Sequence, residues 1–167
     1  MLWCVLLTLV AFGPAAGARE SEPEWPQVRT LDPKVLDALE WGLSQSSTFR
    51  ELVSILEASD LIVYIERHNR FRPGEGGSFR LAGRAHDYRY ARIALSSLLC
   101  SRELVVLLAH ELQHAVELAQ APDVDSSRKM VELFCRIGEP HAFGYDTQAA
   151  RDVTRQVASE LAINPDR

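Results

Sequence analysis

The chain has 167 residues, 47% hydrophobic and 25% charged, with Lys+Arg 18 against Asp+Glu 23 for a net charge of −5. That is enough for one folded core, short for two, and it excludes wholesale disorder. An acidic balance with no block of basic residues offers no footprint for a phosphate backbone and argues against a nucleic-acid partner.

Leu2 to Phe12 is apolar apart from Thr8, Gly13-Pro14 interrupts it, and Ala16-Gly17-Ala18 supplies small residues ahead of Arg19. This is the pattern of a secretory signal peptide over residues 1–18, too short for a spanning helix. The expectation is a secreted or periplasmic protein with no stable membrane span after cleavage. Cleavage removes Cys4 and leaves Cys100 and Cys135, which an oxidising compartment would allow to pair. Both stand among apolar neighbours, where a buried free thiol is equally natural. Residues 19–31, acidic and carrying Pro23 and Pro26, read as a flexible leader, and residues 32–167 as the folded domain.

From Asp32 onward Val35, Leu36, Leu39 and Leu43 recur at helical spacing, with Pro33 suited to a first turn. A second helix begins near Ser47, where Ser47 or Thr48 can cap and Phe49, Leu52, Val53, Ile55 and Leu56 form the buried stripe. Leu61 to Ile65 reads as a strand, Pro73 to Gly77 as a turn, and Phe79 to Gly83 and Tyr88 to Leu95 as two further strands. The imperfect alternation of the last suits a strand near a sheet edge. Ser101 to about Gln120 is the strongest helical pattern, with Ser101 as its expected cap and Pro122 as its stop. A shorter helix follows, capped by Asp125 or Ser126 and ending at Gly138, and a final one runs from about Asp146 to Ala162. Two helices, about three consecutive strands and three helices predict an α+β domain rather than a doubly wound sheet.

The strong helix contains Ala109-His110-Glu111-Leu112-Gln113-His114-Ala115. His110 and His114 are four residues apart, about one turn, so both imidazoles leave one face and can converge on a cation. Glu111 is displaced by about 100° and can reach a water on that cation without being a ligand, the general-base arrangement of metal-assisted hydrolysis. With five histidines and 14 glutamates, chance places such a motif in about one chain in a hundred.

The segment resembles the active helix of the zincin metallopeptidases. Together with Ile55 to Ile65 and Phe143-Gly144-Tyr145-Asp146-Thr147, the chain is similar to a group of small, uncharacterised bacterial proteins taken to be secreted metallopeptidases. That resemblance implies a minimal zincin-like domain with Zn2+ as cofactor, a peptide or protein substrate, and Glu111 as catalytic base. It further implies that substrate lies extended along the strand preceding the active helix, about Tyr88 to Leu95. The rival reading is a non-catalytic secreted zinc-binding or interaction domain on the same fold.

A site of this type needs a third protein ligand. The metzincin pattern is absent, because Glu117 and Gln120 stand where Gly and His would fall. Glu117 shares the histidines' face but lies about 10 Å along the axis from His110, which favours a role behind the ligands. Asp146 is the preferred third ligand, although the resembling proteins usually place Glu there and an Asp opening a helix is an ordinary cap. Glu132, His141 and Glu117 remain alternatives. His141 and Tyr145 could donate to a developing oxyanion. His68 and His86 read as surface residues, and Trp25 and Trp41 as packing residues.

Overall fold

A computed structural model describes residues 27–163. The expected signal peptide, most of the leader and Trp25 lie outside the described residues.

Val28–Thr30, inside the segment read as leader, forms a first strand, β1. It pairs in parallel with β2 (Leu61–His68), Val28 opposite Val63, and Val28 is 2% exposed, so this short edge strand is anchored in the core. Between them run α1 (Pro33–Gln45) and α2 (Ser47–Glu57). Asp32 caps α1 by accepting from the N–H groups of Lys34 and Val35, and Ser46, not Ser47 or Thr48, caps α2 by accepting from Phe49. Ser47 and Thr48 instead bond Glu160.

β3 (Gly77–Ala85) and β4 (Tyr88–Ser96) pair in antiparallel fashion across the two-residue turn His86-Asp87, where His86 has φ 53°. β4 also pairs in parallel with β2, so the sheet order is β1-β2-β4-β3. The fold is thus mixed α/β, with a mixed sheet of four strands rather than about three. β4 lies one strand in from the edge with both its ladders taken, so the substrate path expected along it is closed. The edge strands among the described residues are β1 and β3, and Ser127 and Met130 bond β3 at Leu81.

One face of the sheet, Leu61, Val63, Ile65, Leu81, Ala91, Ile93 and Leu95, joins the apolar core with the helices. The other carries Arg29, Tyr64, Arg80 and Arg92 to solvent, in one cross-strand row. α3 (Ser101–Ala119) crosses the core side, burying Leu104, Val105, Leu108, Leu112, Ala115 and Leu118. Its cap residue is Cys100, whose N–H donates to Glu103 Oε2 at 2.9 Å, one residue earlier than expected.

The C-terminal end of α3 is held by Arg89, which is 0% exposed. Its guanidinium grips Asp60 through two bonds of 2.6 and 2.9 Å and donates to the carbonyls of Leu118, Ala119, Ala121 and Val124. Leu118 and Ala119 close the C-terminal end of α3, at the negative end of its dipole, and Ala121 and Val124 belong to the turn that follows, so the buried cation is met by carbonyls of both.

α4 (Ser127–Ile137), capped by Ser126, leads into a hairpin that the sequence did not announce, β5 (Gly138–His141) and β6 (Gly144–Thr147). α5 (Gln148–Ile163) starts two residues later than expected and packs along α3. Its cap is Thr147, which accepts the Ala150 N–H at 3.1 Å; Asp146 belongs to β6 and caps nothing. Cys100 and Cys135 are both exposed and unpaired, so neither the disulfide nor a pair of buried thiols is present. Among the described residues no helix is long and apolar enough to cross a membrane.

Candidate metal centre

His110 and His114 project from successive turns of α3, their rings 4.9 Å apart and nearly perpendicular. The hairpin and α5 carry Asp146 over them: its Oδ1 lies 3.5 Å from His110 Nε2 and 3.9 Å from His114 Nε2. Four donors arranged tetrahedrally at about 2.0 to 2.2 Å from a zinc-sized ion stand roughly 3.3 to 3.6 Å apart, so the spacing fits a small divalent ion.

The hydrogen bonds behind the rings fix which nitrogens face one another. His110 Nδ1 lies 2.9 Å from Thr154 Oγ1, and that hydroxyl spends its single proton on Ala150 O at 2.7 Å. Thr154 must therefore accept from Nδ1–H, which leaves a lone pair on His110 Nε2. His114 Nδ1 lies 2.9 Å from Glu117 Oε2, an acceptor when ionised, with the same result for its Nε2. Glu117 Oε1 in turn accepts from Thr147 Oγ1 at 2.6 Å, tying α3 to the residue next to Asp146.

Asp146 Oδ2 receives Arg151 Nη1 at 3.3 Å, and Arg151 also pairs with Glu139. Asp146 Oδ1 is buried with no hydrogen-bond partner. With both rings neutral, three electron-rich atoms converge, an arrangement that is costly unless a cation, whether a metal ion or a proton, sits in their midst. Among the described residues His110, His114 and Asp146 form a group that could hold a metal ion.

The alternatives fall away on position. Glu132 is exposed on α4 and faces Arg128. His141 lies on β5, its Nδ1 accepting the Phe143 N–H. Glu117 stands behind His114, as its distance along the helix implied.

Glu111 is 5% exposed and opens on a cleft of about 450 Å3 that also reaches His110 and His114. Its walls are the Gly74 to Phe79 segment, the Met130, Val131 and Phe134 side of α4, and His141 and Phe143 to Tyr145 of the hairpin. Gly77 admits it: a Cβ there would stand 2.5 Å from Glu111 Oε1. Burial pushes the Glu111 carboxyl up to about 7; the His114 charge opposes this, and those of Asp146 and Glu75 add to it. Burial and the neighbouring His114 ring hold the His110 pKa below its ordinary value, which favours the neutral ligand form. Burial also works against a charged His114, but its bond to Glu117 and the charges of Glu111, Glu117 and Asp146 together raise its pKa. A bound cation takes the place of the proton this ring would otherwise attract.

Tyr145 lines the cleft, and its hydroxyl is bonded to Cys135, which raises its pKa. His68 stacks on Phe71 and His86 sits in the β3–β4 turn, both away from the site. Sequence reasoning missed Thr154, Thr147, Arg151, Gly77 and Glu75. Thr147 stands in the Phe143 to Thr147 segment without a role assigned to it, the others belong to no motif, and only folded contacts give any of them a role.

No family model, curated protein or solved structure matches the chain.

Proposed function

We propose that the protein is a secreted zinc-dependent hydrolase of zincin type, with a peptide bond as its substrate. The observation that carries this reading is the bare Asp146 Oδ1 facing two Nε2 lone pairs beside the buried carboxylate of Glu111. Two His, one carboxylate and an approach from the cleft make a three-ligand set with an open position, the form of catalytic rather than structural zinc.

A divalent ion bound there supplies the Lewis acidity that polarises a carbonyl and acidifies water. The residues of the chain do the rest. Glu111, with its pKa near neutrality, takes a proton from water in the cleft and passes it to the leaving amine. Glu117 and Thr154 engage Nδ1 of each imidazole and so aim both Nε2 atoms at the cation. The edge of β3 from Gly77 to Phe79, beside the cleft and ahead of the point where α4 bonds Leu81, offers backbone groups to an extended peptide. His141 and Tyr145, both lining the cleft from the hairpin, are the candidates to donate to a developing oxyanion.

The test is paired. Glu111→Gln should retain one zinc per chain by elemental analysis and lose peptide hydrolysis by at least a hundredfold, whereas His110→Ala should lose both. Zinc retained by the wild type without cleavage of a broad peptide library would leave the non-catalytic zinc-binding reading in its place.

A further inference from the structure

The cleft is short of positive charge. Its lining holds Glu75 and Glu111 and no Lys or Arg. A divalent ion at the centre has its two charges balanced by Asp146 and Glu111, while Arg151 behind Asp146 is already paired with Glu139. Glu75 is left over, and Glu117 behind His114 adds to the excess.

Glu75 is held in place rather than free. The turn Arg72 to Glu75 is closed by Glu75 N–H on Arg72 O at 3.0 Å, and the Arg72 N–H returns a bond to Glu75 Oε2 at 3.2 Å. Gly74 takes φ 85°, a left-handed conformation that lets the chain turn there. The result is a half-buried carboxylate at the cleft wall, with a backbone bond on one oxygen and no ion pair among the described residues. Beside it Phe79, Leu107 and Phe134 give the cleft an apolar wall.

We propose that this cleft selects peptides bearing a positive charge, a Lys or Arg side chain or a free α-ammonium, next to an apolar residue at the bond presented to the metal centre, and that Glu75 is the residue that selects them. A carboxylate in a cleft with low-dielectric walls attracts a cation more strongly than one on an open surface, and it disfavours an acidic peptide by the same margin. The inference rests on the cleft being a peptide site, and its test is chosen so that binding and turnover are read apart.

Zinc-loaded Glu111→Gln, which cannot turn over, is titrated calorimetrically at low salt with four peptides sharing one apolar core. Three are blocked at both ends and carry Lys, Gln or Glu beside the core; the fourth is the Gln peptide with a free amino terminus. The Lys peptide should bind at least tenfold more tightly than the Glu peptide. The preference should vanish when Glu75→Gln is added and reverse with Glu75→Lys, while zinc content is unchanged. A gain for the free-amine peptide over its blocked twin assigns the site to the α-ammonium; no gain assigns it to the side chain. Equal affinities for the Lys and Glu peptides, a preference that survives Glu75→Gln, or no binding of any peptide overturns the proposal. If wild type cleaves none of the four while Glu111→Gln still ranks Lys above Glu, the hydrolase reading fails and the selectivity of Glu75 stands.

Discussion

Thr154 and Glu117 do not face the cleft, yet they decide which nitrogen of each histidine is free to bind. Thr154→Val removes the acceptor that pins the His110 proton to Nδ1, and Glu117→Gln removes the charge that does so for His114. Each should weaken zinc affinity by about 10 to 100-fold in competition with a chromophoric chelator, and Thr154→Ser should restore it. Unchanged affinity would mean that the rings are held by packing alone. Gly77→Ala makes a different prediction, because the added Cβ meets only the end of the Glu111 side chain. Metal content should be untouched and turnover should fall by about tenfold or more, as the base is pushed off its line to the cleft. The histidines and Glu111 were legible in the sequence because helical spacing alone places them. Asp146 was legible only as a residue type, since nothing in a string of letters says that a hairpin will fold back on α3.

Helices and their ends were the best-read elements, and the departures share one cause. Local patterns located α1 to α4 to within a residue or two, but Ser46 caps α2 in place of Ser47 or Thr48: its oxygen accepts from the Phe49 N–H while its proton goes to Glu160 of α5, which also takes the hydroxyls of Ser47 and Thr48. Burial works against the charge on Glu160, but bonds from Ser46, Gln156, Thr48 and Ser47 pull its pKa down to about 2. A carboxylate whose pKa falls on folding stabilises the fold above its unfolded value, about 4.3, and that contribution is lost as the pH drops toward 2. Solvent screens much of this carboxylate, so the loss should be that of a helix cap, about 1 kcal/mol, visible in urea midpoints between pH 5 and pH 2 and absent in Glu160→Gln. Arg89 is the larger case. Alternation along β4 puts Arg89 on one face with Ala91, Ile93 and Leu95 and says nothing of what it meets there. Arg89→Met should cost about 3 to 5 kcal/mol by urea denaturation, because Asp60 and the last carbonyls of α3 are left without their partner.

Across the molecule, the sequence pattern conveyed class and missed connectivity. Periodicity reports which side of an element is buried, not which strand lies beside which: it suits β4 to a place near a sheet edge, where it lies, but does not say that β2 and β3 flank it and close it to a substrate strand. β1 escaped because three residues after an acidic, proline-bearing stretch carry no periodic signal of their own; only pairing with β2 makes them a strand. The centre also joins distant parts of the chain, and its ion should therefore stabilise the whole. At a hundred times its Kd a bound ion adds about 2.7 kcal/mol, so chelation should lower the Tm by roughly 10 °C. A Tm indifferent to chelators would show that the three ligands do not share an ion. The split of the ligand set between α3 and the β5–β6 hairpin also bears on timing. During synthesis both imidazoles emerge while the carboxylate that completes the trio is still to be made, and a chain stopped before Gly138 would have neither the hairpin nor α5 to bring it. Cutting power of the kind proposed would thus be withheld until the segment from Gly138 onward has folded home, a safeguard for the cell that makes it.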